Sequence, residues 1–593
     1  MSAAKHYLTD PTQTVLRSLH SLTKTNPSLL FDSENKIIYR NPASIKTPTN
    51  VSLVSGGGSG HEPGFAGFVG EGVLTACVAG TIFASPAAEQ VRACLQHRIP
   101  AESNGVLVIA TNYTGDVLNF GMAVEKARAL GKKVEMVVVG DDVGVGRAKG
   151  GKVGRRGLSG TALVVKICGA LAEKGVSLEE CAKVGRSLVQ SMVSLGASLS
   201  RVHVPGKGIE EAREEEKRLG PGLVEVGMGI HNEPGCEKID TNLPGLIKIM
   251  LKQMLDQNDK DRSYISLENL DEFVLLLNNF GGVSNLELGA ILDETTQQLA
   301  DTYSIKPRRI IQGTLFGSLD GPGFVLTLLK LSDTGLGPGK SMVDALDAPA
   351  NAIGWPSCVS TDTWEQQFPP ASEQSIKGED EGTKSSNIRL SPEALRSVLR
   401  PALEKLIAAE PEVTKYDTVV GDGDCGVGLK RGAEAILKAI EEVDSEDIMH
   451  VFAKFCPTIE MAMDGTSGAL YAIFLNALAS NMRSLSPSSA TPVTTEIWAR
   501  ALSMSLDDLG KYTPAQPGDR TMMDALVPFV RELEAKKDIK QAARKAREGA
   551  DETKGMKASL GRSVYVGGSG FQEVPDPGAH GLSIFLSGLA DAM

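Results

Sequence analysis

Three carboxylates, Asp417, Asp422 and Asp424, fall within eight residues, the last two separated by one glycine. Carboxylates held this close repel one another, so a loop that gathers them is stabilised by divalent cations, and hard oxygen donors suit Mg²⁺ or Ca²⁺. An EF-hand is excluded, because the twelfth position counted from Asp417 is Gly428 and carries no bidentate Glu. Two Mg²⁺ ions bridging a triphosphate would use this many carboxylates. A solvated, Asx-rich turn is the competing reading. Three more loops in the same half each precede a helical run: Asp464–Gly468 (DGTSG), Gly518–Met522 (GDRTM) and Asp576–His580 (DPGAH). The start of a helix offers free amides to phosphate. Each loop alone is an ordinary helix start; together with the Asp cluster they favour a nucleotide site.

The first half has its own candidates. Ser55–His61 (SGGGSGH) follows the apolar run Val51–Val54, and its four glycines let the backbone wrap closely around a small ligand. Asn112–Asp116 (NYTGD) ends the apolar run Gly105–Ala110, where α/β sheets place their ligands. Met228–Gly235 (MGIHNEPG) sets His231 between glycines. His61 and His231 therefore stand out from His6, His20, His97, His203 and His450, which have no reactive neighbours in sequence; His580 can be read either way. No standard phosphate loop is found. Gly146–Val153 ends without a hydroxyl, Gly339-Lys340-Ser341 has Thr334 where the first glycine belongs, and His61 occupies the last glycine's place in GGGSGH. The basic stretch Gly146–Gly160 (GRAKGGKVGRRGLSG) reads as a flexible surface loop or a partner surface.

The elements that must position these residues differ between the two halves. Residues 105–139 read as a βαβ unit: a strand at Gly105–Ala110, a helix at Val117–Leu130 and a strand at Lys133–Val139. A second unit runs from Phe273–Leu277 through a helix at Asn285–Leu299 to a strand at Arg309–Phe316. The turn Asp320–Gly323 then predicts a hairpin into Phe324–Leu331. The front part is thus α/β, in two subdomains of roughly 180 residues each. Residues 366–388 (QQFPPASEQSIKGEDEGTKSSNI) are polar and rich in Pro, Gly and Ser, the composition of a flexible linker. Behind it the texture is all-α. Ser391-Pro392 is a helix start with Ser as cap and Pro at the first position. Helical runs follow at Val427–Val443, Ala469–Met482, Pro492–Leu509, Met522–Ala535 and Asp538–Gly555.

Composition narrows the class. The chain has 593 residues and a formal net charge of −12, which argues against coating nucleic acid or an anionic membrane. Aromatics are 5%, so base stacking is not a theme. No apolar run is long enough to span a membrane and no signal peptide is evident. The eight cysteines form no Cys-x-x-Cys pair, as expected of reduced thiols in a cytoplasmic protein.

At these residues the chain resembles the ATP-dependent, single-chain dihydroxyacetone kinases. The motifs that carry the resemblance are SGGGSGHEP (55–63), NYTGD (112–116), GMGIHNEPG (227–235), YDTVVGDGDCG (416–426), DGTSGALY (464–471), PGDRTMMDA (517–525) and DPGAH (576–580). The resemblance implies an N-terminal α/β K domain at 1–365 that binds the ketose. It also implies a linker at 366–388 and an L domain at 389–593, an eight-helix barrel binding Mg-ATP. His231 then matches the histidine that adds to the substrate carbonyl as a covalent hemiaminal. Asp116 matches the general base, with His61 assisting. Gly57, Gly58, Ser59, Gly60, His61, Thr111, Asp116 and His231 would form the substrate site, although Thr111 stands where bacterial relatives can have a lysine. Asp417, Asp422 and Asp424 match the ligands of Mg²⁺, two ions being expected. Asp422, Gly423, Asp424, Cys425, Thr466, Ser467, Arg520, Thr521, Met522, Asp576, Pro577 and Gly578 match the nucleotide loops. A homodimer is implied, with phosphate passing between the two parts within a chain or across the dimer. Glyceraldehyde is an equally open substrate. The competing functions are a relative that also cyclises FAD with loss of AMP, and a non-catalytic sugar-binding regulator on the same fold.

Overall fold

The computed structural model describes residues 6–8, 10–205, 222–267, 272–356, 385–421, 423–463, 465–560 and 572–593. Most of the expected linker, and with it Asp422 and Asp464, lies outside the described residues. The chain divides into two compact units, Met1–Pro369 and Pro370–Met593.

Among the described residues, the first unit holds two six-stranded sheets. One is built from β1 (Leu29–Asp32), β2 (Ile37–Arg40), β3 (Ser52–Ser59), β4 (Ala76–Ile82), β5 (Val106–Thr111) and β6 (Val134–Val139), in the order β1-β2-β4-β3-β5-β6. The strands β4, β3, β5 and β6 run parallel to one another, while β2 pairs antiparallel with both β4 and the edge strand β1. The central strands are buried on both faces, hence the unbroken apolar runs. The other sheet comprises β7 (Met192–Ser198), β8 (Val224–Val226), β9 (Glu237–Ile239), β10 (Phe273–Asn279), β11 (Arg309–Gly313) and β12 (Gly323–Lys330), in the order β11-β10-β12-β7-β8-β9. The helix Gly160–Glu173 is apolar on nearly every side, every residue from Gly160 to Ala172 is buried, and its one buried cation, Lys166, donates to Ala345 O. Its side chains share one core with Leu53, Leu107 and Ile109 of the first sheet and Val274, Leu276 and Val325 of the second. A helix with no continuous polar face is stable only when covered on all sides, and here two sheets cover it.

One expected connection is different. β11 and β12 do not form a hairpin. β11 pairs parallel with β10 on one side, and β12 pairs antiparallel with β10 on the other and with β7 beyond. A tight turn does precede β12, but it lies at Ser318–Gly321, where Gly321 N donates to Ser318 O, and the chain from Gly313 to Gly323 must first cross to the far side of β10. It is held on the way by Asn278, whose Oδ1 accepts from the amides of Leu315 and Phe316 and whose Nδ2 donates to Phe316 O. A turn signature fixes local geometry and says nothing about which strand is the partner. This crossing segment later proves to organise the site.

In the second unit the expected helix start at Ser391 is present. Its hydroxyl accepts from Ala394 N at 3.2 Å, and the helix runs Pro392–Ala408. Among the described residues, eight helices pack in a closed ring: Pro392–Ala408, Cys425–Glu441, Ile448–Ala462, Gly465–Ser484, Thr495–Leu509, Met523–Lys536, Ile539–Glu552 and Pro577–Ala592, the last against the first. The short helix Glu410–Val420 packs against the ring from outside this cycle. The ring encloses an apolar cavity of about 570 Å³, lined by side chains such as Leu403, Phe455, Phe474, Phe529 and Leu586. No described helix is long and apolar enough to cross a membrane.

Candidate functional site

In the first unit the chemistry gathers beyond the C-terminal ends of β3 and β5, the edge where open α/β sheets hold ligands. β3 carries the glycines. A Cβ on Gly57 would lie 2.7 Å from the Phe65 ring and 3.5 Å from Asp116 Oδ2. A Cβ on Gly58 would lie 2.7 Å from Ala84 N. Gly60 has φ +105 and faces Phe83, a conformation that side-chain-bearing residues avoid. These positions are glycine because the wall is pressed against its neighbours. Ser59 turns away from the site, donating to Gly80 O at 3.0 Å.

His61 follows immediately. Its ring is stacked between Phe83 and Phe316, with centroids 5.3 Å and 5.4 Å away. The Nδ1–H donates to Gly317 O at 2.9 Å, since a carbonyl can only accept. Gly317 N donates back to His61 O, and Leu319 N to Gly60 O. Burial, with the charge of His231 beside it, pushes the His61 imidazolium down to about 3, so the ring is neutral with a bare Nε2. That Nε2 lies 2.9 Å from His231 Nε2.

His231 sits on the loop after β8. Ser318 of the crossing segment donates to Ile230 O at 2.7 Å, so a single segment holds both histidines. Asn232, with φ +65, exchanges hydrogen bonds with Val202 through both atoms of its amide. Phe83 and Tyr113 meet the His231 ring edge-on, at 5.1 Å and 4.6 Å. The ring is partly open to solvent, with a side-chain exposure of 20%.

Asp116 lies in the first turn of the helix Thr114–Ala129, just past the end of β5 at Thr111. The Thr111 hydroxyl donates to Asp116 Oδ2 at 2.7 Å. Asp116 Oδ1 is buried with no hydrogen-bond partner, and so is the Tyr113 hydroxyl. Burial raises the Asp116 carboxyl above the usual carboxylate range, opposed by the neighbouring hydroxyls. A buried acceptor left open costs stability unless a ligand satisfies it.

Two residues of this site escaped the sequence reading. Glu233 takes the backbone N–H of His231 on Oε2 and its Nδ1–H on Oε1, both at 2.9 Å. Arg156 forms an ion pair with buried Asp142 and donates to Gly227 O at 2.7 Å. The stretch Gly146–Gly160 is therefore not simply a surface loop. Arg155 and Arg156 turn inward, and Asn112 Nδ2 donates to the carbonyls of Val153 and Arg155. The signal was present in GMGIHNEPG. A Cβ on Gly229 would fall 2.1 Å from Glu233 Oε2 and 2.5 Å from Arg156 Nη1, so the glycine makes room for both.

In the second unit, the loops picked from sequence converge at one end of the ring. Asp417 is buried on the helix Glu410–Val420, and its Oδ2 accepts from Cys425 N at 3.0 Å. Gly421 closes over it, a Cβ there falling 2.2 Å from Asp417 Oδ1. Gly423 has φ +82, and Asp424 is exposed at the start of the next helix. Burial, then the charges of Asp417 and Asp576, push the Cys425 thiol up to about 12, with the Ser467 hydroxyl also at hand. Asp576 caps the last helix through Ala579 N at 2.8 Å. Burial, with Asp524 and Asp417 near, pushes its carboxyl up to about 7. A pocket that crowds carboxylates in this way suits a hard divalent cation. Among the described residues no three such groups already form a metal cluster; the second aspartate of the motif, Asp422, is outside them.

The other nucleotide-loop residues take distinct places. Thr466 and Ser467 lie in the first turn of Gly465–Ser484, and Pro577 and Gly578 open Pro577–Ala592. Thr521 donates its backbone N–H to Asp524 Oδ2, and Met522 is buried at the start of Met523–Lys536. Arg520 is buried, not presented to solvent. With φ +60, it donates to Thr553 O and Val574 O. It braces the pocket wall from behind. His580 is buried against the Tyr416 ring, with Nδ1 lacking a hydrogen-bond partner and Nε2 3.4 Å from Glu412 Oε2. The seven described cysteines are free.

Comparison with known proteins covers nearly the whole chain. A Dak1 domain matches residues 20–354 and a DAK2 domain residues 419–591. The chain is 41% identical to a dihydroxyacetone kinase of Pichia angusta, over 97% of this chain and 96% of that protein. It is 41% identical to dihydroxyacetone kinase 1 of Saccharomyces cerevisiae, over 100% of both. With a human triokinase/FMN cyclase it shares 35% identity over 97% of both. Among solved structures, the dihydroxyacetone kinase of C. freundii superposes with a TM-score of 0.61 at 29% identity, covering 100% of each chain. One such structure is a complex with AMP-PNP and Mg²⁺.

Proposed function

The chain belongs to the dihydroxyacetone kinase family, and from that premise we propose that it phosphorylates dihydroxyacetone with ATP. The observation that carries this reading is the 2.9 Å contact between the two Nε2 atoms of His61 and His231, next to the partnerless Oδ1 of Asp116. Nothing in the packing of a core asks for two imidazoles and an open carboxylate in one crevice.

The residues divide the work as follows. His231 Nε2 adds to the ketone carbon and forms a hemiaminal. A three-carbon substrate offers few contacts, so a reversible covalent bond supplies the affinity that surface burial cannot. It also discriminates, because glycerol has no carbonyl to attack. With the carbon fixed, a terminal hydroxyl is held in place for reaction. Asp116 Oδ1, open and buried, accepts that hydroxyl's proton, while Thr111 holds the other oxygen. Gly57, Gly58 and Gly60 leave the wall bare enough for the substrate to lie against backbone. In the second unit Asp417, Asp422 and Asp424 would hold Mg²⁺, and the amides and hydroxyls at Cys425, Thr466, Ser467 and Gly578 would hold the nucleotide. Bound there, two Mg²⁺ ions would neutralise the triphosphate, a task that falls to metal because the chain has no phosphate-loop lysine.

A second reading draws on the human relative named triokinase/FMN cyclase: the same nucleotide site cyclising FAD with release of AMP. An ADP-release assay against dihydroxyacetone, glyceraldehyde and glycerol, run beside an AMP-release assay with FAD and Mn²⁺, tests both. Turnover with the two carbonyl compounds and none with glycerol is expected. Equal turnover of glycerol would refute the hemiaminal. The homodimer belongs to the same proposal and is read by light scattering.

A further inference from the structure

The hydrogen bonds around the two histidines determine where their protons must be. His61 gives its single ring proton to Gly317 O, leaving Nε2 a lone pair. His231 gives its Nδ1–H to Glu233 Oε1, because an ionised carboxylate can only accept. Glu233 accepts the His231 backbone N–H on Oε2 and shares the space left by Gly229 with the Arg156 guanidinium, so its carboxyl is ionised. Two nitrogen lone pairs would repel at the observed 2.9 Å, so one proton lies between the Nε2 atoms. His61 is sealed between two phenylalanine rings and is the poorer home for charge. The proton therefore belongs to His231, whose ring faces the carboxylate.

We propose that Glu233 is a positioning residue of the triose site: it keeps His231 an imidazolium before substrate arrives, and the proton shared with His61 is the one the ketone oxygen receives. This rests on the hemiaminal reading above. The step balances without any outside acid. The shared proton moves from His231 Nε2 onto His61 Nε2. The freed lone pair forms the N–C bond, and the carbonyl π pair moves to oxygen. That oxygen then takes the proton from His61 Nε2. The product is a hydroxyl-bearing hemiaminal on an N-substituted His231 imidazolium, its Nδ1–H still on Glu233, with His61 neutral again. The positive charge sits on the His231 ring at both ends of the step, and Glu233 faces it throughout.

The other groups around Glu233 leave this role to it. Arg156 is committed to Asp142, burial holds Tyr113 in its neutral form, and His61 is neutral; Asp116, the other carboxyl that feels the His231 charge, is raised by burial and makes no hydrogen bond to its ring. The carboxylate is also used through both oxygens, which makes it irreplaceable by an amide. If a glutamine's oxygen takes the His231 backbone N–H, its NH₂ faces Nδ1 and demands a lone pair there. The remaining ring proton then sits on Nε2 and blocks attack.

The test uses the full chain labelled with ¹⁵N-histidine, His231 being assigned by its disappearance in His231→Ala. Without substrate, the wild type should show both His231 ring nitrogens protonated at pH 7. In Glu233→Gln the ring should carry one proton, on Nε2, at the same pH. The adduct formed with [2-¹³C]dihydroxyacetone should fall with it, and kcat/KM for the triose by about 10²–10⁴-fold, the range for removing a carboxylate that orients a reactive histidine, with KM for ATP unchanged. Glu233→Asp keeps the charge and should recover part of the imidazolium signal. A singly protonated His231 in the wild type overturns the proposal, whatever the variants do. So does a Glu233→Gln protein with wild-type adduct and rate. A wild type that shows the imidazolium but never the adduct removes the hemiaminal reading and the delivery step together, which separates the two failures.

Discussion

Replacing Asp116 by Asn changes one atom at the position where proton transfer is proposed. Asp116 is 4% exposed. One oxygen is occupied by Thr111 at 2.7 Å and the other has no partner. An asparagine fits the same space: its oxygen keeps the Thr111 hydrogen bond and its NH₂ takes the open position. The hemiaminal should form as before, because His231, His61 and Glu233 are untouched. What is lost is an acceptor for the hydroxyl proton. General-base contributions run to about 10²–10⁴-fold, so kcat should fall by that factor, about 2.7–5.4 kcal/mol on the barrier. Stability should move the other way. Burial raises the Asp116 carboxyl in the folded protein, so the fold holds that proton more tightly than the unfolded chain does. The stability this group contributes is present at low pH and lost as pH rises through its folded value. Asn abolishes the loss, so Tm at pH 7 should be equal or higher. The acid limb of the kcat–pH profile should also disappear. Steady-state kinetics, a ¹³C adduct spectrum and calorimetry read the three arms. A variant with kcat within about threefold of wild type, or one that no longer forms the adduct, would refute the assignment.

Gly57→Ala places a methyl 2.7 Å from the Phe65 ring and against Asp116; the triose KM should rise about tenfold or more with KM for ATP unchanged, and a change confined to ATP would move Gly57 out of the substrate site. Arg520→Met leaves the Thr553 and Val574 carbonyls buried without their donor. Urea melts followed on the second unit should show about 2–4 kcal/mol of destabilisation, with nucleotide affinity falling through the displaced loop. Unchanged unfolding with lost ATP binding would instead mean that the guanidinium reaches the nucleotide. Asp576, pushed up to about 7 when folded against about 3.9 unfolded, contributes stability that is present below pH 4 and lost as pH rises through 7. In chelator-treated protein Asp576→Asn keeps the helix cap and should flatten that pH dependence; a wild-type slope in the variant would falsify the assignment of the titration to this carboxyl.

The sequence was legible where one element decides the outcome and obscure where two elements must meet. Ser391-Pro392 announced its helix because capping is local, and Asp116 stood out because a strand end followed by a polar loop is where α/β sheets bind. The hairpin expected after Arg309–Phe316 failed for the opposite reason. A glycine-rich turn signals a reversal to within two residues, but strand order depends on Asn278 catching Leu315 and Phe316, residues far from it in sequence. That same crossing segment brings Gly317 under His61 and Ser318 under Ile230. It sets the distance between the two imidazoles although it contains no residue that would be picked for chemistry. Arg520 shows the reverse case. The resemblance puts it in a nucleotide loop, and the packing turns two of its N–H donors to the carbonyls of Thr553 and Val574 behind that loop. Glu233 lies between these cases. Its glycine-flanked motif was noticed for the histidine alone, yet Gly229 is bare for the sake of the carboxylate. A glycine that makes room for a charge two residues beyond a reactive histidine is a pattern legible in one dimension, and it directs attention to the partner that sets the histidine's protonation.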